Sequence, residues 1–464
     1  MSVAHRSDVL ALPPTPLAAG RPAAARAELR ELHGRMVAWA EVDGLREGGT
    51  GEAEAEVVGR ALELAEQLGC PVVIQLTSVA VDPGPAGIAG LAAWGRVAAR
   101  AVRLSGVVPL LVAVSGPVHG GLAPILGLAD HVVIAAGATA YLNGPGPIAH
   151  VTGATIDSQM LGGAHVHATR TGLSSLTASD ADDALDALVE ILTYLPDNHL
   201  AAPPTTMTDD PIGRACTRAA AIVPAESMHA YDVRDVLDDV FDAGSLLELH
   251  GEHAANLVCA YARLGGQPVA VVANQPAVRA GTLDIAASKK GARHIQGADA
   301  LGLPLITFVD TPGFEPGRDL EWRGMIRHGA KLVGAYANAS VPRVGVILRK
   351  AYGGAYIVMD SHSMGNDLTF AWPTAEIAVM GAPGAVAILN KRDLADAEDP
   401  IASQVRLEAE YRARYCSPTI AAERGYVDAV IDPVDTRRLI AGALRRLANK
   451  RPTRPHRAHD NGPL

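Results

Sequence analysis

Apolar positions in this chain fall into short solid runs separated by longer stretches of helical period. After Gly69-Cys70-Pro71 the run Val72-Val73-Ile74 reads as a buried strand, and after Gly302-Leu303-Pro304 the run Leu305-Ile306-Thr307 reads the same way. A helical pattern leads into each, over Ala53 to Leu68 and over Ala286 to Leu301. Pro109 and Pro342 each open a further apolar strand, and those strands end on Gly120-Gly121 and Gly353-Gly354. The intervals agree: Pro71 to Gly120 spans as many positions as Pro304 to Gly353, and Pro109 to Gly120 as many as Pro342 to Gly353. Asp82-Pro83-Gly84 falls in register with Glu315-Pro316-Gly317, and Gly48-Gly49-Thr50 lies one residue off the register of Ala280-Gly281-Thr282. An ordered series of this kind implies an internal duplication. Each copy reads strand, glycine turn, helix, twice over, which predicts an α/β domain.

At 464 residues the chain exceeds what one core supports, so duplication and length both predict two domains. The boundary is expected in the Pro/Asp-rich stretch between Leu195 and Asp239, punctuated by Pro196, Pro203-Pro204 and Asp209-Asp210-Pro211. The expected domains are 29–240 and 241–450, with 1–28 a disordered lead-in and 451–464 a tail. A net charge of −10 argues against a general nucleic-acid binder, and acidic substrates would need local basic spots. The four cysteines, Cys70, Cys216, Cys259 and Cys416, lie far apart with no CxxC spacing, so neither a zinc ribbon nor a disulfide framework is expected. With no signal-peptide core and no membrane-length apolar run, the expected location is the cytoplasm.

The candidate chemistry lies in the glycines. A buried strand that ends in Gly-Gly at a helix start exposes backbone N–H groups at the positive end of the helix dipole. Two such amides can hold a developing oxyanion, and the motif occurs twice in one register. The titratable residues offer no competing constellation: there is no GxSxG elbow, no HExxH and no Walker loop. His119 beside Gly120 is matched by Tyr352 in the second copy, which favours a structural or steric role. Arg349-Lys350 reads equally as a solvated strand end or an anion site. Lys289, Lys290 and Arg293 form a basic stripe at helical spacing, expected to be a solvated face. A site with no evident acid or base suits chemistry in which a bound cofactor moves the protons.

The second copy closely resembles the carboxyltransferase (β) subunit of biotin-dependent acyl-CoA carboxylases, of the propionyl-CoA/acetyl-CoA type. The matching stretches are Val272-Ala273-Asn274-Gln275-Pro276, Asp310-Thr311-Pro312-Gly313-Phe314, Ile326-Arg327-His328-Gly329-Ala330-Lys331, Arg349-Lys350-Ala351-Tyr352-Gly353-Gly354-Ala355-Tyr356, Ala371-Trp372-Pro373-Thr374-Ala375 and Ala422-Glu423-Arg424-Gly425-Tyr426-Val427-Asp428. The resemblance extends more weakly back through Ser115-Gly116-Pro117, Leu161-Gly162-Gly163-Ala164 and Val223-Pro224. It implies two tandem crotonase-like domains of ββα-spiral type, the first on the acyl-CoA side and the second on the biotin side. It implies carboxyl transfer from carboxybiotin on a separate carrier protein to the α-carbon of an acyl-CoA through an enolate, with biotin itself as the base and no metal. The implied oxyanion holes are Gly120 with Gly121 for the thioester oxygen and Gly354 with Ala355 for the biotin carbonyl. Gly313, Phe314, Gly353, Tyr356 and Ile357 are implied as further cofactor-side residues, Ile357 at a position linked to acyl length. The implied partners are a biotin carboxyl carrier, a biotin carboxylase and further copies of the chain in a hexamer. No Met in the sequence is followed by Lys, so no Met-Lys biotin acceptor is present, and neither is an ATP-binding loop.

The first copy departs from the family pattern. Ser78-Val79-Ala80-Val81-Asp82-Pro83 replaces a Ser-Gly-Gly-Ala-Arg-Ile turn on the CoA side, and Leu122 replaces a small alanine, which predicts a narrower pocket. The lead into His33-Gly34-Arg35 is also shorter than in the family. Two alternatives follow: a malonyl-type thioester decarboxylase or transcarboxylase, and a non-catalytic scaffold paralogue in a carboxylase complex.

Overall fold

A computed structural model describes residues 10–11, 24–44, 50–78, 87–226, 229–452 and 461–463. The contacts divide the chain into two compact units, 1–204 with 250–253 and 300–302, and 205–249 with 254–299 and 303–464. The sequence expectation drew its limit at 240. The physical reason for the earlier division is the helix Val233–Val240, whose Val233, Val236, Leu237 and Val240 are fully buried in the core of the second unit.

In the first unit the hairpin Ala25–Leu32/Arg35–Asp43 is antiparallel, and Val72–Ser78, Leu110–Val114, His131–Ala135 and Leu176–Ala178 add to it in parallel. Leu10–Ala11 pairs with the hairpin's outer strand, so part of the expected lead-in is strand: residues 10–11 and 25–28 are ordered pairs in this sheet. Leu110–Val114 is buried at every position, as a strand covered on both faces must be. The helices Glu52–Leu68 and Gly87–Leu104 pack on the sheet through Val58, Leu62, Trp94, Val97 and Leu104.

The second unit repeats the plan. The hairpin Leu257–Leu264/Gln267–Asn274 is followed in parallel by Leu305–Thr311, Arg343–Tyr352 and Leu368–Ala371, with helix Ile285–Ala300 filling the place of Glu52–Leu68. One difference separates the copies. Arg343–Tyr352 runs unbroken for ten buried residues, whereas its counterpart is cut into Leu110–Val114 and Pro117–His119. At the cut, a Cβ on Gly116 would lie 1.6 Å from the carbonyl oxygen of Thr77, so only glycine passes there. Beyond it, Pro117–His119 pairs with Thr139–Tyr141, as the end of the long strand pairs with Glu376–Ala378. Each unit is therefore a ββα spiral that delivers a strand end into a glycine turn. Among the described residues no helix is long and apolar enough to cross a membrane.

Candidate functional site

Each unit carries one turn of the expected kind. In the first, the strand Pro117–His119 ends at Gly120, whose φ of +72° disfavours any residue with a Cβ, and the chain enters the helical turn Gly120–Leu122 and the helix Ala123–Leu126. No side chain caps this start. Nothing lies within 4 Å of where a Cβ on Gly120 would sit, so conformation alone calls for glycine. Leu122 is buried in the first core, so its bulk goes inward instead of narrowing a pocket. His119 stacks on Tyr141 with ring centroids 4.2 Å apart, and its Nε2 lies 3.3 Å from the Thr139 hydroxyl. Burial lowers the His119 pKa. The divergent turn Val79-Ala80-Val81 and Asp82-Pro83 lies outside the described residues, as does Gly48-Gly49.

In the second unit, the strand Arg343–Tyr352 ends at Gly353 with φ +56°, and helix Gly353–Val358 begins there, again without a side-chain cap. A Cβ on Gly353 would sit 3.1 Å from the Val379 carbonyl. Gly354 faces the ring of Phe314, where a Cβ would stand at 3.4 Å, and on another side that ring meets Gly329 of helix Met325–Asn338. Gly313, at φ +142°, is tied to Thr311 and accepts from the Leu283 amide at 3.1 Å. Ala355 is fully buried and Ile357 is 48% exposed. Burial raises the Tyr356 pKa against a side-chain interaction with Ser363, and Tyr356 lines a small cavity with Asp360, Ser361 and Thr369. The predicted residues Gly313, Phe314, Gly353, Gly354, Ala355, Tyr356 and Ile357 thus cluster at one strand end. Gly120 and Gly121 form the corresponding turn of the other unit.

Behind the second turn lies a network that sequence reasoning missed. Asp310, with a fully buried carboxylate, accepts from Arg349 Nε at 2.9 Å, from the Tyr231 hydroxyl at 3.0 Å and from the Lys350 amide at 3.1 Å. Arg349 also donates to the carbonyls of Glu226 and His229 at 2.8 and 2.7 Å. Arg349 is therefore not a solvated strand end: its Nε and Nη1 are committed to Asp310 and to backbone oxygens. Lys350 Nζ stands 3.7 Å from the same carboxylate, and burial lowers its pKa. This network clasps the ends of two neighbouring strands where their register shifts, between Val309 and Thr311. Only the adjacency of Asp310 to the glycine turn could have pointed to it; Tyr231 gave no signal.

The basic stripe also needs correction. Lys289 and Arg293 are exposed, but Lys290 is buried, its pKa lowered by burial, and its Nζ donates to the Leu257 carbonyl at 2.7 Å. Among the described residues no group of three or more His, Cys, Asp or Glu is arranged to hold a metal ion.

Each unit thus ends a buried strand in a glycine turn whose helix start has no side-chain cap, leaving its first backbone amides open. The family of carboxyl transferase domains matches residues 31–462. The chain is 42% identical over 459 residues to the propionyl-CoA carboxylase β chain of Saccharopolyspora erythraea, covering 93% of this chain and 83% of that one. It is 38% identical over 439 residues to the methylmalonyl-CoA decarboxylase subunit α of Veillonella parvula, covering 93% and 84%. The crystal structure of transcarboxylase 12S, described as a hexamer with methylmalonyl-coenzyme A and methylmalonic acid bound, superposes with a TM-score of 0.91 at 38% identity, covering 95% of this chain and 85% of that one. The chain belongs to the carboxyl transferase family and has its crotonase-like fold in both units.

Proposed function

We propose that this chain is the carboxyltransferase component of a biotin-dependent acyl-CoA carboxylase, moving a carboxyl group between biotin on a separate carrier protein and the α-carbon of an acyl-CoA. The observation that carries this reading is the pair of register-matched, uncapped turns at Gly120–Leu122 and Gly353–Val358 in a member of this family. We assign the first turn, through Gly120 and Gly121, to the thioester oxygen, which becomes an enolate oxygen when the α-carbon loses its proton. We assign the second, through Gly354 and Ala355, to the ureido carbonyl of biotin. Each amide aimed at developing negative charge contributes roughly 3–4 kcal/mol to lowering the barrier. Bound biotin supplies both the carboxyl group and the base.

The second turn fits such a group. A Cβ at 354 would stand 3.4 Å from the Phe314 ring, an ordinary contact, and the half-buried Tyr356 follows on the same short helix. Gly313, Phe314, Gly353, Tyr356 and Ile357 would form the walls of that half-site. The chain's own residues hold and orient both reactants, and no side chain is asked to carry a proton.

The acyl group in this reading is acetyl, propionyl or longer, with Ile357 setting the preference, and the location is the cytoplasm. The chain is proposed to act as a homo-oligomer in which the acyl-CoA half-site of one copy is completed by the biotin half-site of another. The test supplies free biotin as acceptor and malonyl-CoA, methylmalonyl-CoA and ethylmalonyl-CoA as carboxyl donors. Decarboxylated acyl-CoA should accumulate in step with carboxylated biotin. A second reading, a thioester decarboxylase component, is favoured by the similarity to the Veillonella subunit. It shares the half-sites and differs in the fate of the carboxyl group.

A further inference from the structure

The residue ahead of each glycine turn is held in the same way in both units, by different side chains. His119 and Tyr352 each end a strand in extended backbone, at φ −128° and −111°, and each passes the chain to a glycine of positive φ. Each strand end pairs in parallel with a short neighbour, so that His119 stands opposite Tyr141 and Tyr352 opposite Ala378. Both side chains nevertheless reach diagonally, to the residue two earlier on that neighbour. His119 Nε2 lies 3.3 Å from the Thr139 hydroxyl, and the Tyr352 hydroxyl donates to Glu376 Oε2. Side chains two apart on a strand share a face, which puts such a diagonal within reach of a ring.

An aromatic ring closes the other side of both clamps. Gly144 and Gly381 follow Thr139 and Glu376 at the same interval and open the helices Pro145–Thr152 and Ala382–Leu389. A Cβ on Gly144 would lie 3.1 Å from the Tyr141 ring, and a Cβ on Gly381 would lie 3.1 Å from the Tyr352 ring. In the first unit Tyr141 stacks on His119 with ring centroids 4.2 Å apart, whereas in the second Tyr352 itself meets the glycine. A His–Thr pair and a Tyr–Glu pair share no chemistry beyond the hydrogen bond. What the two units have in common is the position that the bond fixes.

The second clamp is also an ion pair. Glu376 is half-buried, Arg412 Nε stands 3.8 Å from its Oε1, and Arg412 donates in turn to Glu408 at 3.2 Å. Burial and the Glu376 carboxylate raise the Tyr352 pKa, so the hydroxyl keeps its proton and stays a donor.

We infer that Glu376 acting through Tyr352, and Thr139 acting through His119, are positioning residues that each set the aim of the open backbone amides at one turn. The inference rests on the carboxyltransferase reading above. The peptide that joins Tyr352 to Gly353 is the last before the turn, so a ring free to rock would carry the first amides of helix Gly353–Val358 with it. Amides aimed at an oxygen lose their effect over small displacements, and an error of about 1 Å can cost about 100-fold in rate.

The test measures carboxyl transfer from methylmalonyl-CoA to free biotin by the whole chain, with kcat and both KM values for each variant. Tyr352→Phe removes a single oxygen. It should raise KM for biotin about fivefold and lower kcat about tenfold, while KM for methylmalonyl-CoA holds. Glu376→Ala should do the same, and the double variant should lose no more than either alone. Glu376→Gln can still accept from the hydroxyl and should recover most of the loss. Thr139→Val should show the opposite split, with KM raised for methylmalonyl-CoA and held for biotin. Tyr352→Phe constants equal to the wild type would overturn the inference. So would a lowered kcat with both KM values unchanged, or both KM values rising alike, since either marks a merely structural role. If Glu376→Ala fails to fold, Tyr352→Phe decides. No transfer by the wild type overturns the carboxyltransferase reading, and the inference with it; an active wild type with unmoved variants overturns the inference alone.

Discussion

Gly353 and Gly120 occupy matching places in the two copies but differ in what they exclude. Both have positive φ, which costs a residue bearing a Cβ roughly 1 kcal/mol or more. At Gly353 a Cβ would also press on the Val379 carbonyl at 3.1 Å, whereas at Gly120 it would meet open space. Gly353→Ala should therefore lower carboxyl transfer more than Gly120→Ala, by about tenfold or more relative to it, as steady-state kinetics on both would show. Equal losses would mean that the two turns are constrained alike. A second residue-scale prediction concerns Asp360, buried beneath Tyr356 and paired with Arg343 at 2.6 Å. Burial raises its pKa to about 6 against the pull of Arg343. The folded state then binds a proton that the unfolded state has released, so this group's contribution is full below about pH 4 and is lost as pH rises to about 6. Across that window the wild type should lose on the order of 3 kcal/mol more stability than Asp360→Asn. Urea denaturation of both proteins at pH 4 and pH 7 would measure the difference, and parallel pH profiles would contradict the assignment.

At the scale of elements, the clasp between Asp310 and Arg349 joins strands Leu305–Thr311 and Arg343–Tyr352 just before the turn. Arg349→Met removes the nearer of the two cations at the buried Asp310 carboxylate, leaving Lys350 Nζ at 3.7 Å, and should cost about 3 kcal/mol. Adding Asp310→Asn should restore part of that, since the under-compensated buried charge is then gone, and a thermal-denaturation double-mutant cycle would show the recovery. The same elements explain what the sequence could and could not reveal. Repeated Pro-to-Gly intervals exposed the strand ends and both turns, because strand length and turn position are local properties. Tyr231 reaches Asp310 from far away in the chain, and no local pattern marks that contact. Helix Val233–Val240 shows its apolar face plainly, yet periodicity cannot say which sheet that face will cover. Lys290 was read with its neighbours as solvated, but its place on the inner face of helix Ile285–Ala300 turns it to the Leu257 carbonyl.

At the scale of the whole molecule, each unit leaves apolar side chains uncovered. The first exposes Leu142, Val151 and Met160 at 61, 82 and 63%, and the second exposes Ile388, Leu389, Ile401 and Val405 at 65, 68, 78 and 64%. Patches of this kind on a chain of ordinary composition mark association surfaces. Under the proposed oligomer, Leu389→Glu with Val405→Glu should shift sedimentation toward a smaller species and lower carboxyl transfer together, because half-sites from different copies would separate. A smaller species with full activity would contradict shared sites. The central claim is that the carboxyl group leaves the acyl-CoA for biotin, and the most direct test is the biotin dependence of methylmalonyl-CoA loss. The account predicts propionyl-CoA formation that requires biotin and matches carboxylated biotin mole for mole. Propionyl-CoA formed at the same rate without biotin, with free CO2 as the other product, would contradict it.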